Sequence, residues 1–318
     1  MSPRRYCEWI TSAYVDDEVG VDGVQLVLVT GEAVPLPSPG ALPVVVAWVG
    51  DRLGGDGPEA ADLVVGRGDR EVLVGAVERC PLAATSLAVL LRGLPGTDPE
   101  VALALESATY SMLQSGPEFT GWRATQTHST EPDTTETVLV ERTGGELTVW
   151  LNRPHRHNAI STRLRDELTE ALHLPLVDRS IEHVQLRGRG PSFCSGGDLG
   201  EFGRFSDPAS AHLVRLTRSP ARLLHRLADR LHVHLHGAAL GGGLEWAAFA
   251  GRVIAASDTV VGLPEIGLGL IPGAGGTVSL TRRIGRQRTA ALALSDARLH
   301  ARDALAWGLV DQIVDEPR

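Results

Sequence analysis

The stretch Leu231–Thr277, LHVHLHGAALGGGLEWAAFAGRVIAASDTVVGLPEIGLGLIPGAGGT, decides the fold class. Around His232–His236 apolar and polar residues alternate, the period of a β-strand, and this strand runs into the glycine-rich turn GAALGGGLEW. A second predicted strand, Arg252–Ala256, precedes another glycine-rich loop, GLPEIGLGLIPGAGGT. A third such turn, GRGPSFCSGGD, follows a predicted strand at His183–Arg187. Glycine lets the backbone approach a ligand closely, and a turn that opens a helix leaves N–H groups free. Two such groups aimed at one point form an oxyanion hole. Glu245 and Glu265 lie close to two of these turns, so acid and base work on a polarised carbonyl compound is within reach.

Outward from this stretch, Val138–Thr143 and Glu146–Leu151 flank Gly144-Gly145 and predict a hairpin. Ser161 predicts an N-cap for a helix with Leu164, Leu168 and Leu172 on one face. A long helix is expected over Ala209–Leu231, another from near Thr277, and an amphipathic one over Ala301–Gly308. Strands alternating with helices give an α/β class with βαβ-type crossovers. Toward the N-terminus, Leu42–Gly50 predicts a buried strand, and Val72–Val77, Ala83–Leu91 and Val101–Leu113 predict helices. The Thr-rich run at 126–136 predicts a linker between a first segment, 1–125, and a second, 137–318.

The 318 residues carry a net charge of -9 with dispersed Lys and Arg, so there is no basic stripe for nucleic acid. Three cysteines, Cys7, Cys80 and Cys194, are too few and too scattered for a disulfide framework or zinc ribbon, which fits a reducing, cytoplasmic setting. No signal peptide and no membrane-length apolar run is expected.

From Val138 to Val314 the chain resembles the crotonase (enoyl-CoA hydratase/isomerase) superfamily. The resemblance is carried by LNRPHRHNAIS, FCSGGDL, HGAALGGGLEW, GLPEIGLGLIPGAGGT and ALAWGLVDQIV, in that order. It implies a crotonase-like ββα spiral fold. It also implies that the N–H groups of Gly197 and Gly242 hold the thioester oxygen as enolate charge grows. Hydratases of the family keep two glutamates, matched by Glu245 and Glu265. By resemblance, Glu245 deprotonates a water that attacks C3 and Glu265 exchanges the proton at C2. The implied activity is an enoyl-CoA hydratase, a lyase that requires no cofactor. Its partner is an acyl-thioester of coenzyme A or of a pantetheinyl carrier. Arg156, Ala159, Ser195, Gly196, Asp198 and Leu199 would cradle the coenzyme. A homo-oligomer, trimer or hexamer, is the family's habit. The alternatives are other crotonase chemistry (isomerase, thioester or C–C hydrolase, decarboxylase) or a non-catalytic crotonase subunit.

Two features depart from the family. The chain ends soon after GLVDQIV, where relatives usually continue with helices. The runs VGAVERCPLAATSLAVLLRG and ALESATYSMLQSGPEFTGW resemble that helical tail at the other end of the sequence. With PVVVAWVGDRLGGDGPEAADLVVG before them, residues 1–125 read as a degenerate crotonase-like segment supplying helices to the second part.

Simpler roles compete for several residues. His232, His234 and His236 share a face, but no carboxylate or cysteine accompanies them, so packed neutral histidines are favoured over a metal site. Cys194 has no base nearby in sequence and reads as a small turn residue rather than a nucleophile. Asp198 also reads as a cap of its turn, and Trp246 and Trp307 as core residues.

Overall fold

The structure is a computed structural model that describes residues 6–9, 25–30, 39–126, 133, 135–203 and 207–315. Most of the expected linker, 127–132 and 134, and much of the chain before residue 39 lie outside the described residues.

Among the described residues, the first segment opens with four strands, β1 (Tyr6–Trp9), β2 (Leu26–Val29), β3 (Val45–Gly50) and β4 (Leu63–Gly66), paired in chain order and all parallel. Four helices follow: α1 (Arg70–Arg79), α2 (Pro81–Gly93), α3 (Pro99–Gln114) and α4 (Pro117–Ala124). Each of α2, α3 and α4 begins with proline, whose missing N–H costs nothing in the first turn. Asp98 caps α3 by accepting from the N–H groups of Glu100 and Val101. Glu118 of α4 accepts from Leu82 and Ala83 at 2.7 and 3.0 Å, so one helix caps the start of another.

The second segment forms the predicted hairpin, β5 (Val138–Thr143) and β6 (Glu146–Leu151), then α5 (Thr162–Val177) and β7 (His183–Gly188). Ser161 caps α5 as expected. After β7 come α6 (Pro208–Arg218), α7 (Pro220–Arg226), β8 (Leu231–Leu235), β9 (Ala238–Leu240), α8 (Gly242–Ala247), β10 (Arg252–Ala256) and β11 (Val260–Gly262). The chain finishes with α9 (Gly276–Ile284), α10 (Arg286–Leu294), β12 (Leu299–His300), α11 (Ala301–Trp307) and β13 (Gln312–Val314). Six strands make the main sheet in the order β13-β10-β8-β7-β6-β5, parallel except for the hairpin. Three more make a small sheet, β12-β11-β9.

Three expectations need correction. The single helix over Ala209–Leu231 is two helices, a 3-10 turn at Ala228–Arg230 and the first residue of β8. Pro220 bars the helical conformation at Ser219, whose ψ is 126°, and the Ser219 hydroxyl then caps α7. The strand expected from Leu42 begins at Val45. Two of the glycine-rich stretches contain regular structure that glycine content obscured: β9 in one, and the end of β11 with a 3-10 turn at Glu265–Leu268 in the other.

The strands bury alternate residues, such as Leu147, Val149 and Leu151 of β6 and Leu231, Val233 and Leu235 of β8. Each fully buried leucine contributes about 1.5–3 kcal/mol. One hydrophobic core runs unbroken from Leu26 to Val310 and so includes both segments. α10 packs on β4 and α2, while α3 packs on α6 and α9. Polar contacts reinforce the joint: Arg286 reaches buried Asp62, which also pairs with Arg92, and the Gln287 amide donates to the carbonyls of Pro58 and Ala61.

Gly269 shows how closely the segments meet. Its φ is +72°, and a Cβ there would stand 2.6 Å from the backbone nitrogen of Phe119 at the start of α4. Gly269→Ala should therefore destabilise the whole molecule by about 1–3 kcal/mol, through strain and overpacking. Thermal unfolding monitored at both segments should show one transition shifted down, not the loss of a local one.

Candidate active site

Strand pairing assembles the site. β9 and β11 run parallel with Leu240 opposite Gly262, and the Gly241 N–H donates to the Gly262 carbonyl at 2.9 Å. That register sets Glu245, five residues past one strand end, beside Glu265, three past the other. Gly241 takes φ 48° and ψ -126° to turn from β9 into α8, and a Cβ on it would lie 2.3 Å from a Glu265 oxygen. Only glycine serves there.

The first glycine turn joins through two isolated bridges, Cys194 to Ala239 and Ile160 to Gly197. In the second, Ile160 N–H donates to Gly196 and Asp198 N–H donates to Ile160. The bonds are made by the residues on either side, so the N–H of Gly197 itself faces away from Ile160. Gly242 is the first residue of α8, where an N–H has no acceptor within the helix. Gly197, Gly242, Glu245 and Glu265 all line one pocket of about 200 Å³, together with Asp198, Ile160, Phe202 and Trp246.

Both glutamates are buried. Glu245 Oε2 accepts from the N–H groups of Ala274 and Gly276 at 2.6 and 2.7 Å. Burial, then the charges of Glu265 and Glu106, push its carboxyl well above the ordinary range. Glu265 Oε2 has no hydrogen-bond partner among the described residues. Burial raises Glu265 to about 7.

A third buried carboxylate, Glu106 of α3, went unnoticed in the sequence. Its oxygens accept from Gly275 N–H at 2.7 Å, Thr277 N–H at 2.9 Å and the Thr277 hydroxyl at 2.6 Å. Burial raises it to about 7 against these three donors. Successive amides of the GAGGT run thus go alternately to Glu245 and Glu106. Tyr110, one helical turn after Glu106, lines the pocket and packs on Gly273, where a Cβ would meet its ring at 2.2 Å. Trp122 of α4 meets Phe202 edge-on at 6.4 Å, and Phe202 in turn lies against Gly197. The only sequence hint to these residues was the likeness of their helices to a crotonase tail.

Of the residues assigned to coenzyme binding, Asp198 lines the pocket, whereas Arg156, Ala159, Ser195, Gly196 and Leu199 lie outside its lining. Leu199 is exposed. Asp198 also acts as a cap, accepting from Gly200 N–H at 3.1 Å, and pairs with Arg153. Buried Arg153 additionally binds Asp133 and the Ala159 carbonyl. Asn158 ties the same loop to the carbonyls of Arg189, Ser192 and Phe193. These two fasteners of the NRPHRHNA loop were not singled out in the sequence.

Cys194 is buried, its thiol pushed up to about 12 by desolvation, and it donates to the Asn158 carbonyl. It is no nucleophile in this state. His234 hydrogen-bonds Gln185 at 2.7 Å, and burial beside Arg187 lowers it to about 4; His236 bonds the Gly190 carbonyl. Trp246 is buried as expected and also faces the pocket; Trp307 packs over Gly54.

Two measurements follow from this cluster. Glu106→Ala leaves the Gly275 and Thr277 amides without acceptors, at about 1–3 kcal/mol each, so its denaturant midpoint should fall well below that of Glu106→Gln, which keeps one acceptor oxygen. A carboxyl whose folded pKa is raised contributes stability that is complete below its unfolded value and lost as pH rises through the folded one. Between pH 4.5 and about 7 the protein should therefore lose stability, and Glu265→Gln should lessen that slope in denaturation series across the same range.

A profile of the enoyl-CoA hydratase/isomerase family matches residues 141–318. The chain is 36% identical over 172 residues to the enoyl-CoA isomerase/hydratase fer4 of Mycosarcoma maydis, covering 51% of this chain and 63% of that protein. It is 33% identical over 178 residues to the mevalonyl-coenzyme A hydratase SIDH of Beauveria bassiana, covering 54% and 64%. The chain thus spans just under two thirds of the length of these relatives. Among solved structures it resembles the enoyl-CoA hydratase of Thermoplasma volcanium, with a TM-score of 0.53 and 36% identity over 57% of this chain and 73% of that one. The expected crotonase-like α/β fold is present, and this chain belongs to the enoyl-CoA hydratase/isomerase family of the crotonase superfamily.

Proposed function

We propose that the protein is an enoyl-CoA hydratase that adds water across the 2,3 double bond of an acyl-thioester. The observation that carries this reading is the convergence in one pocket of two buried carboxylates with the Gly197 and Gly242 backbones. The two N–H groups donate to the thioester oxygen as it gains charge, an interaction strongest in the transition state.

The two carboxylates differ in a way that divides the work. Burial and the neighbouring carboxylates raise Glu245, while its two amide donors oppose that rise, hold Oε2 in place and leave Oε1 for a water. Glu265 Oε2 has no donor, so Glu265 carries a proton without losing a bond. Glu245 takes a proton from water as the oxygen bonds to C3, and the π electrons move onto the thioester oxygen. The enolate then collapses and takes the proton of Glu265 at C2. Proton exchange between the two carboxyls and solvent restores the start. The loop residues Arg156, Ala159, Ser195, Gly196, Asp198 and Leu199 are the groups proposed to cradle coenzyme A or a carrier's pantetheine.

Mass spectrometry of the purified protein with a panel of 2-enoyl-CoA thioesters should show gain of one water. Glu245→Gln and Glu265→Gln should each lower kcat/KM by about 10²–10⁴. Because Glu265 must donate, kcat/KM should fall as pH rises through about 7. Migration of the double bond without water gain would assign isomerase chemistry instead, and no change in any thioester would overturn the enzymatic reading.

A further inference from the structure

Among the described residues, one cation of the pocket has no anionic partner. Arg215 of α6 donates to the hydroxyls of Ser107 and Ser111 and, at 3.5 Å, to the side-chain oxygen of Gln114. Its guanidinium lies 4.8 Å over the Tyr110 ring. All of these partners are neutral. Among the described residues, no carboxylate lies within ion-pairing distance of it. Glu106 is close enough to be felt electrostatically, but its oxygens are occupied by the Gly275 and Thr277 donors. By contrast Arg165, the other arginine of the pocket, is bound through two nitrogens to Asp166.

The position of Arg215 is informative. It lines the catalytic pocket and also a neighbouring cavity of about 180 Å³, and Ser219 and Gly273 are the other residues common to both. These three therefore mark one end of the catalytic pocket. A strut between α6 and α3 would be served by hydroxyl and amide groups alone. Holding a desolvated guanidinium there without a carboxylate is costly unless a ligand supplies the acceptor. Three hydrogen bonds and the stacked ring fix the fork in place, so little is lost in ordering it when a ligand arrives.

We propose that Arg215, fixed by Tyr110, Ser107 and Ser111, binds an acceptor oxygen on the acyl group of the substrate, so that the protein acts on oxygenated rather than plain hydrocarbon acyl-thioesters. This rests on the acyl-thioester reading above. A terminal carboxylate and a neutral keto or hydroxyl oxygen share the required chemistry, and the guanidinium offers unused N–H donors to either.

The test compares 2-enoyl-CoA thioesters of equal chain length that end in methyl, hydroxyl or carboxylate, using the full-length protein. Water gain should be faster for at least one oxygenated end, with kcat/KM about tenfold or more above the methyl-ended thioester. A preference confined to carboxylate identifies an anionic acyl group; a preference shared by hydroxyl identifies a neutral polar one. Arg215→Met should remove the preference, lowering kcat/KM on the oxygenated thioester about tenfold or more relative to the methyl-ended one, and Arg215→Lys should restore part of it for carboxylate. Equal or better turnover of the methyl-ended thioester by the unaltered protein would overturn the proposal and leave the hydratase reading intact. Turnover of none of them would sink both. Since the unaltered protein decides the question, poor folding of a variant does not rescue the idea.

Discussion

Four consecutive backbone amides, those of Ala274 to Thr277, hold the site together. They are the entrance to α9, where N–H groups have no helical acceptor. Two buried glutamates from distant parts of the chain share them in alternation. Glu245 takes the amides of Ala274 and Gly276; Glu106 takes those of Gly275 and Thr277. Gly275, in the left-handed region at φ 107°, turns the chain into α9, and the two carboxylates between them satisfy all four amides. The positive end of α9 also favours negative charge on both. Without either carboxylate the loop would hold bare N–H groups inside the protein.

This clamp makes the first segment part of the site's architecture. Glu106 lies on α3, and the same helix brings Tyr110 into the pocket and Ser107 and Ser111 against Arg215. α4 sets Trp122 against Phe202, which backs Gly197. Several glycines of the GLGLIPGAGGT run are thereby explained by packing. Gly269 and Gly273 make room for α4 and for Tyr110.

Burial raises all three carboxyls of the cluster, and the charges of their neighbours add to the rise of Glu245 and Glu265. The arrangement favours a shared proton. Glu106 has a donor on each oxygen, whereas Glu245 has both of its amide donors on Oε2 and Glu265 Oε2 has none.

The sequence by itself determined the α/β class, the hairpin, the cap of α5, the three glycine turns and the two glutamates. These are local signals: side-chain period, turn chemistry and short motifs are properties of neighbouring residues. It misjudged the helix over 209–231 because amphipathic spacing continued through Ser219-Pro220 and masked the break. It missed Glu106, Tyr110, Arg153 and Arg215 for a different reason. A glutamate in LALES is indistinguishable from a surface residue until its helix is docked, and its partners lie about 170 positions away. Only the tertiary structure decided which glycines meet a neighbouring helix, which carboxyls share donors and which arginine lacks a counter-charge. Those are properties of burial and of pairs, and no single stretch of chain contains them.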